Sequence, residues 1–355
     1  MKLVRLRQER LRSHRLSAPA RSIAGAAEHL LATQAQEFWG GRWALAARTR
    51  GAPSVRDVDA QFDRGELVRS WTMRGTIHIV PARDLPWVLS VTRDRQLHHA
   101  ANARRLLGIA DDDLERAERI VRAVLAGGNR LTRAELFEVL DGGGVATAGQ
   151  RGYHLLGALS MRLVLVQGPV VPREGAPTRE QYVVLADEWI ADAASPSDPL
   201  AELFVRFVAA HGPAGVRDFA WWTGLPLGTA REAERAASER LVAVEEGRYV
   251  AAERPRRSSA APRVVALPPF EEYFISYADR SVVGPPEVVE RVGPGRNGMV
   301  RPILLADGAI VGTWTHSVAV GRHTDDPVPA LFDPAAASDA EVAAALDRYR
   351  WFITA

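Results

Sequence analysis

Leu67-Val68-Arg69-Ser70-Trp71-Thr72-Met73-Arg74-Gly75-Thr76-Ile77-His78-Ile79-Val80-Pro81 decides the fold. Its β-branched and aromatic residues lie on either side of Arg74-Gly75. It therefore reads as two short strands, 67–72 and 76–80, joined by a tight turn in which glycine accepts a positive φ. Helical patterns precede it. Residues 22–32 place Ile23, Ala26, Ala27, Leu30 and Leu31 at helical spacing, a second helix runs from about 35 to 47, and Ser54 caps a third near 55–63. Three helices closed by a hairpin make a winged helix, which lays one helix in a DNA groove while the wing touches the backbone.

The pattern recurs twice. Asp111-Asp112-Asp113 suits a helix N-terminus and opens a helix reaching Leu125, Thr132-Arg133-Ala134-Glu135 has capping-box spacing, and 147–160 reads as a third helix. Strands at 163–167 and 181–185 close this copy. In the last copy, helices near 199–210, 216–223 and 227–238 precede strands at 241–245 and 248–252, with Gly247 in the turn. A linker rich in Arg, Ser and Pro follows at 253–262. Beyond it, strands are expected at 264–267, 299–305 and 309–316, with Asp307-Gly308 as a turn and a closing helix at 335–352. The expected class is α+β: three tandem winged-helix units, 1–105, 106–192 and 193–254, followed by a β-rich domain at 263–355.

At 355 residues the chain is too long for one ordinary core. No run approaches the ~18 apolar residues of a membrane span, and no apolar stretch follows the basic N-terminus, so the expectation is a cytoplasmic protein; association with the nucleoid and a monomeric state are expected separately. The absence of cysteine excludes disulfides, thiolate zinc sites, cysteine nucleophiles and sulfur-ligated iron clusters. Charge is unevenly distributed. Residues 1–105 carry 19 basic against 9 acidic side chains, a net +10, and the remainder is −8. The basic end is where a polyanion would dock.

Upstream of the first hairpin stands Thr33-Gln34-Ala35-Gln36. Two carboxamides one residue apart can hold a water from two sides without adding formal charge, which suits hydrolysis of a leaving group that is already cationic. In isolation, glutamine pairs in helices are mostly solvated surface. Here they stand with Trp71 to Pro81, Leu267-Pro268-Pro269-Phe270-Glu271-Glu272-Tyr273, Asp279-Arg280-Ser281, Asn297-Gly298-Met299-Val300-Arg301-Pro302 and Gly312-Thr313-Trp314. In that order and spread, from about Leu16 to about Thr315, the chain resembles the winged-helix DNA glycosylases of the AlkZ/YcaQ type.

The resemblance implies a concave basic surface around double-stranded DNA with Gln34 and Gln36 at its centre, positioning the attacking water and stabilising the sugar cation. The family motif is Gln, an apolar residue, then Gln or Asp. This chain has the Gln form, which is associated with bulky adducts and interstrand crosslinks from natural products, and hence with self-resistance. Guanine alkylated at N7 leaves as a neutral base from a cation, so two neutral amides suffice where other glycoside hydrolases use a carboxylate pair. The same resemblance marks Arg42, Arg48, Arg50, Arg74 and Arg83 as phosphate contacts, and His78, Asn297 and Arg301 as further DNA-binding candidates. The competing readings are solvated charge for each arginine, a buried backbone-bonded histidine for His78, and bracing for Asn297 and Arg301.

Lys2 is the only lysine, so a Schiff-base step would have only it and the terminal amine to use. The expectation is a monofunctional glycosylase without abasic-site lyase activity. No cofactor is expected: His98-His99, His211, His316 and His323 form no metal signature, and the glycine clusters lack the Lys-Ser/Thr of a phosphate-binding loop. The alternative from another class is a non-catalytic winged-helix DNA-binding protein or transcription regulator, which would show an operator footprint and tolerate replacement of both glutamines.

Overall fold

The computed structural model describes residues 1–245, 247–254, 261–296 and 298–355. It is a mixed α/β chain that divides into two compact units. One comprises Met1–Val58, Arg173–Pro177 and Leu200–Ala355, the other Asp59–Pro172 and Thr178–Pro199. The first division falls inside the helix Val55–Asp63.

The Asp59–Pro172/Thr178–Pro199 unit contains the fold-deciding hairpin. Strands Leu67–Met73 and Thr76–Pro81 pair antiparallel with Val68 opposite Val80 and Ser70 opposite His78, within a residue or so of expectation. Arg74 and Gly75 turn at φ +52° and +69°. The turn is tied down by Gly75 N–H donating to Gln96 Oε1 at 2.7 Å. The second hairpin, Leu165–Val170 with Gln181–Leu185, joins the first into one sheet through Arg69 opposite Gln167, and Arg69 Nη1 donates to Gln167 Oε1 at 2.8 Å. Helices Asp111–Leu125, Arg133–Gly142 and Arg151–Met161 enclose an apolar cluster that includes Leu114, Val121, Leu136, Leu155 and Leu159. Asp111 begins its helix as expected, and the Thr132–Glu135 capping box is formed. The 22-residue helix Leu85–Leu106 packs on Leu67–Met73. Its second half is too rich in Arg, His and Asn for hydrophobic periodicity to reveal it.

In the other unit the C-terminal sheet is antiparallel, in the order Val328–Leu331, Ala309–Thr315, Ile303–Ala306, Val264–Leu267. The closing helix runs from Asp339 to Thr354 instead of 335–352, because Ser338 and Glu341 form a capping box that fixes its start. Similarly, the strand expected from 299 is Ile303–Ala306. The closing helix and the helix Phe38–Ala47 both pack against Val264–Leu267. A Cβ on Gly40 would stand 3.3 Å from Pro268 and Pro269, so glycine there permits the close approach. Indole N–H groups fasten this layer: Trp43 Nε1 donates to Ala266 O and Trp314 Nε1 to Leu267 O, both at 2.9 Å. The hairpin Leu241–Glu245/Arg248–Ala251 forms its own two-stranded sheet after helices Val216–Thr223 and Leu227–Ala237. The expected linker lies partly outside the described residues, at 255–260. Among the described residues, no helix is long and apolar enough to cross a membrane.

Candidate active site

The glutamine segment joins two helices, Ile23–Leu30 and Phe38–Ala47. The second helix starts at Phe38, later than the expected 35, so the motif is not helical. Thr33–Gln34 is extended. The chain enters this segment through a γ-turn: Leu31 has φ +64° and ψ −50°, and Ala32 N–H donates to Leu30 O at 2.8 Å. A fully buried leucine in that region costs on the order of 1–3 kcal/mol and persists only where surrounding packing enforces it. The strain sits three residues from Gln34.

Gln34 is buried at 8% exposure and Gln36 is exposed. The Gln34 N–H donates to Glu272 Oε1 at 2.8 Å. Glu272, itself buried, opens the short helix Glu272–Ile275. Its other oxygen accepts from Trp222 Nε1 at 3.2 Å and from the Ser276 hydroxyl, and lies 3.6 Å from His211 Nε2. The preceding carboxylate, Glu271, is equally buried. It receives both terminal nitrogens of Arg48, while Arg48 Nη1 also donates to Ala44 O at 3.0 Å. Adjacent carboxylates thus hold the two sides of one stretch of chain: Glu272 takes Gln34, and Glu271 takes Arg48 at the end of the following helix. Both were in a motif the sequence made visible, but nothing in Pro268 to Tyr273 announces that two successive glutamates face inward.

A buried polar column continues beyond. His14 Nε2 meets Tyr277 Oη at 2.8 Å, and Tyr277 Oη donates its proton to His211 O at 2.6 Å. The phenol proton being committed, His14 is the Nε2–H donor of that pair. Burial first, then the charges of His211, Arg48 and Arg10, holds the His14 ring well below the ordinary histidine value, so it is neutral. Arg10 covers the Tyr277 ring at 3.5 Å.

The remaining candidates fall into two groups. Arg42, at 1% exposure, stacks over Phe38, and Arg48 has no exposure; in this conformation both are interior groups with no surface for a phosphate to meet. His78 is also interior, with Nδ1 at 2.9 Å from Thr72 Oγ1. Arg50, Arg83 and Arg301 are exposed and Arg74 is half-buried. Arg50 Nε donates to Pro19 O at 3.2 Å. Asn297 lies outside the described residues. Gln34, Gln36, Arg42, Arg48, Arg50 and Arg301 belong to one compact unit, and Arg74, His78 and Arg83 to the other.

Residues 27–352 of the chain match the family described as DNA glycosylase AlkZ-like. The chain belongs to that family of DNA glycosylases. It is 25% identical over 294 residues, 77% of each chain, to the interstrand DNA cross-link repair glycosylase of Streptomyces sahachiroi. The solved structure of the Streptomyces sahachiroi DNA glycosylase AlkZ superposes with a TM-score of 0.75 at 21% identity, covering 99% of this chain and 97% of that one, a likeness of fold.

Proposed function

We propose that this chain is a monofunctional DNA N-glycosylase that releases bulky N7-alkylguanine, including guanine held in interstrand crosslinks, with Gln34 and Gln36 as the catalytic couple. The observation that carries this reading is the anchoring of the Gln34 main chain on a buried carboxylate, in a chain of this family and beside a strained γ-turn. Rigid placement is what a neutral amide needs in order to act, since it contributes by holding a water and a developing cation in register. Gln34 lies in extended backbone and Gln36 in the bend that follows, so the Gln-x-Gln segment carries one buried and one solvent-exposed glutamine within three residues. Alkylation at N7 makes the purine a cation. Water adds to the sugar carbon as the bonding pair passes to the base nitrogen, the base departs neutral, and the added water loses its proton to solvent to leave the sugar hydroxyl. The crosslink substrate in the name of the Streptomyces sahachiroi relative supports the bulky-lesion part of the reading.

Three winged-helix units at 1–105, 106–192 and 193–254 would grip the duplex, with Arg50, Arg74, Arg83 and Arg301 meeting phosphates in a monomer. With Lys2 the sole lysine, the product is an intact abasic strand.

The test is chromatography of free base from a duplex carrying one N7-alkylguanine. The Gln34→Ala/Gln36→Ala enzyme is expected to lose about 100-fold or more in release rate, the scale of a positioned acid–base or polar catalytic group. Release by wild type no faster than spontaneous depurination, or an unchanged rate in the double variant, would overturn the reading. An operator footprint without base release would establish the regulator instead.

A further inference from the structure

We propose that Glu272 is a positioning residue for the glutamine couple: its buried carboxylate accepts the Gln34 N–H and sets the main chain from which both amides project. This rests on the catalytic assignment above. Three separate parts of the chain converge on one carboxylate, 238 residues from Gln34. Oε1 takes the Gln34 N–H, while Oε2 is held by Trp222 from the helix Val216–Thr223 and by Ser276, with His211 Nε2 at 3.6 Å. Trp222, Ser276 and His211 are all fully buried. Glu272 therefore has little freedom, and the peptide it grips inherits that rigidity. A charged acceptor also binds an N–H more firmly than a neutral one does. Catalytic amides must be held to within about 0.5 Å of productive geometry. A carboxylate fixed from several directions is a means of holding them there.

Glu272→Gln retains the shape but replaces one oxygen with an NH2 group. That group then faces either the Gln34 N–H or the Trp222 N–H, donor against donor, so one contact is lost. Two measurements on the full-length protein test the proposal. In single-turnover base release at saturating enzyme, Glu272→Gln is expected to be at least tenfold slower, with affinity for the lesion duplex, read by fluorescence anisotropy, within twofold of wild type. In hydrogen exchange, the peptide containing Gln34 is expected to lose protection while peptides from Leu85–Leu106 do not. A wild-type release rate, or rate and affinity falling in parallel, overturns the proposal.

If Glu272→Gln does not accumulate as folded protein, Trp222→Phe and Ser276→Ala each remove one donor to Oε2 and leave the charge in place. Both are expected to slow release several-fold at unchanged affinity, and wild-type rates in both overturn the proposal. The two failures are distinguishable. Full activity of the double glutamine variant sinks the catalytic assignment, whereas unchanged exchange at Gln34 in Glu272→Gln sinks the clamp whatever the activity.

Discussion

The Asp59–Pro172/Thr178–Pro199 unit is organised around aliphatic side chains and leaves its ion pairs, such as Arg122 with Asp187 and Arg151 with Asp113, at or near the surface. The unit that contains Gln34 instead encloses Arg10, His14, Arg42, Arg48, His211, Glu271 and Glu272, each at 2% exposure or less. Burying charge is expensive, and a buried pair is often no more stabilising than an apolar pair of similar volume. Such an interior gains precision in direction, because hydrogen bonds fix angles that dispersion contacts leave loose. The unit holding the glutamine motif accepts more of this cost than the other, where Arg69, His78 and Asp84 are the buried ionisable groups among the described residues.

The strongest way to break the comparison is at Arg48 and Glu271. Arg48→Met strands a buried carboxylate and is expected to cost about 3–5 kcal/mol in denaturant unfolding, while Arg48→Met/Glu271→Met recovers most of the loss. A single-variant loss below about 1 kcal/mol would show that the pair does not organise this interior.

Acid sharpens the contrast by a smaller step. Burial, with Arg15 nearby, lowers the His29 ring to about 4, and His14 is lowered too, both in the glutamine-bearing unit. The unfolded chain takes up these protons near pH 6.5 and the folded chain does not, so the stability they contribute is present above pH 6.5 and drains as pH falls towards 4. His154, partly buried in the other unit, is also lowered, which makes the difference one of degree. Hydrogen exchange at pH 7 and pH 4.5 is expected to show protection lost earlier around His14 and His29 than around Leu114 and Leu159, with His29→Gln flattening the slope. Uniform loss across both units would erase the distinction.

The smallest effect belongs to the aliphatic unit. Thr132 Oγ1 receives the Glu135 N–H at 3.3 Å, and Glu135 returns a bond to the Thr132 N–H at 2.7 Å. Thr132→Ala is expected to lower the thermal midpoint in proportion to about 1 kcal/mol, with base release unchanged. A rate change would mean that this capping box communicates with the glutamine segment.

Local chemistry made much of this legible. Val55–Asp63 and Asp111–Leu125 lie where capping residues and periodicity put them, and Arg74-Gly75 turns the first hairpin as its composition requires. The Leu3–Ser13 helix and the second half of Leu85–Leu106 were not legible, since their arginines and histidines mask the apolar faces that packing alone reveals. At the site, Gln34 and Gln36 were visible as a motif, while the non-helical backbone beneath them was not, because Leu31 adopts a conformation that leucine disfavours by itself.

The order of residues determined most of the helices, the hairpin turns, the uneven charge and the family to which the chain belongs, because each depends on neighbours a few positions apart or on motifs quoted in sequence. Tertiary structure alone decided that Glu272 would meet Gln34 and Glu271 would meet Arg48, that Arg42 and His78 would be interior, and that two hairpins would share a sheet through Arg69 and Gln167. The physical reason is that burial is a property of the assembled chain: a glutamate carries no mark of whether water or a distant N–H will satisfy it until the folded elements exclude the water.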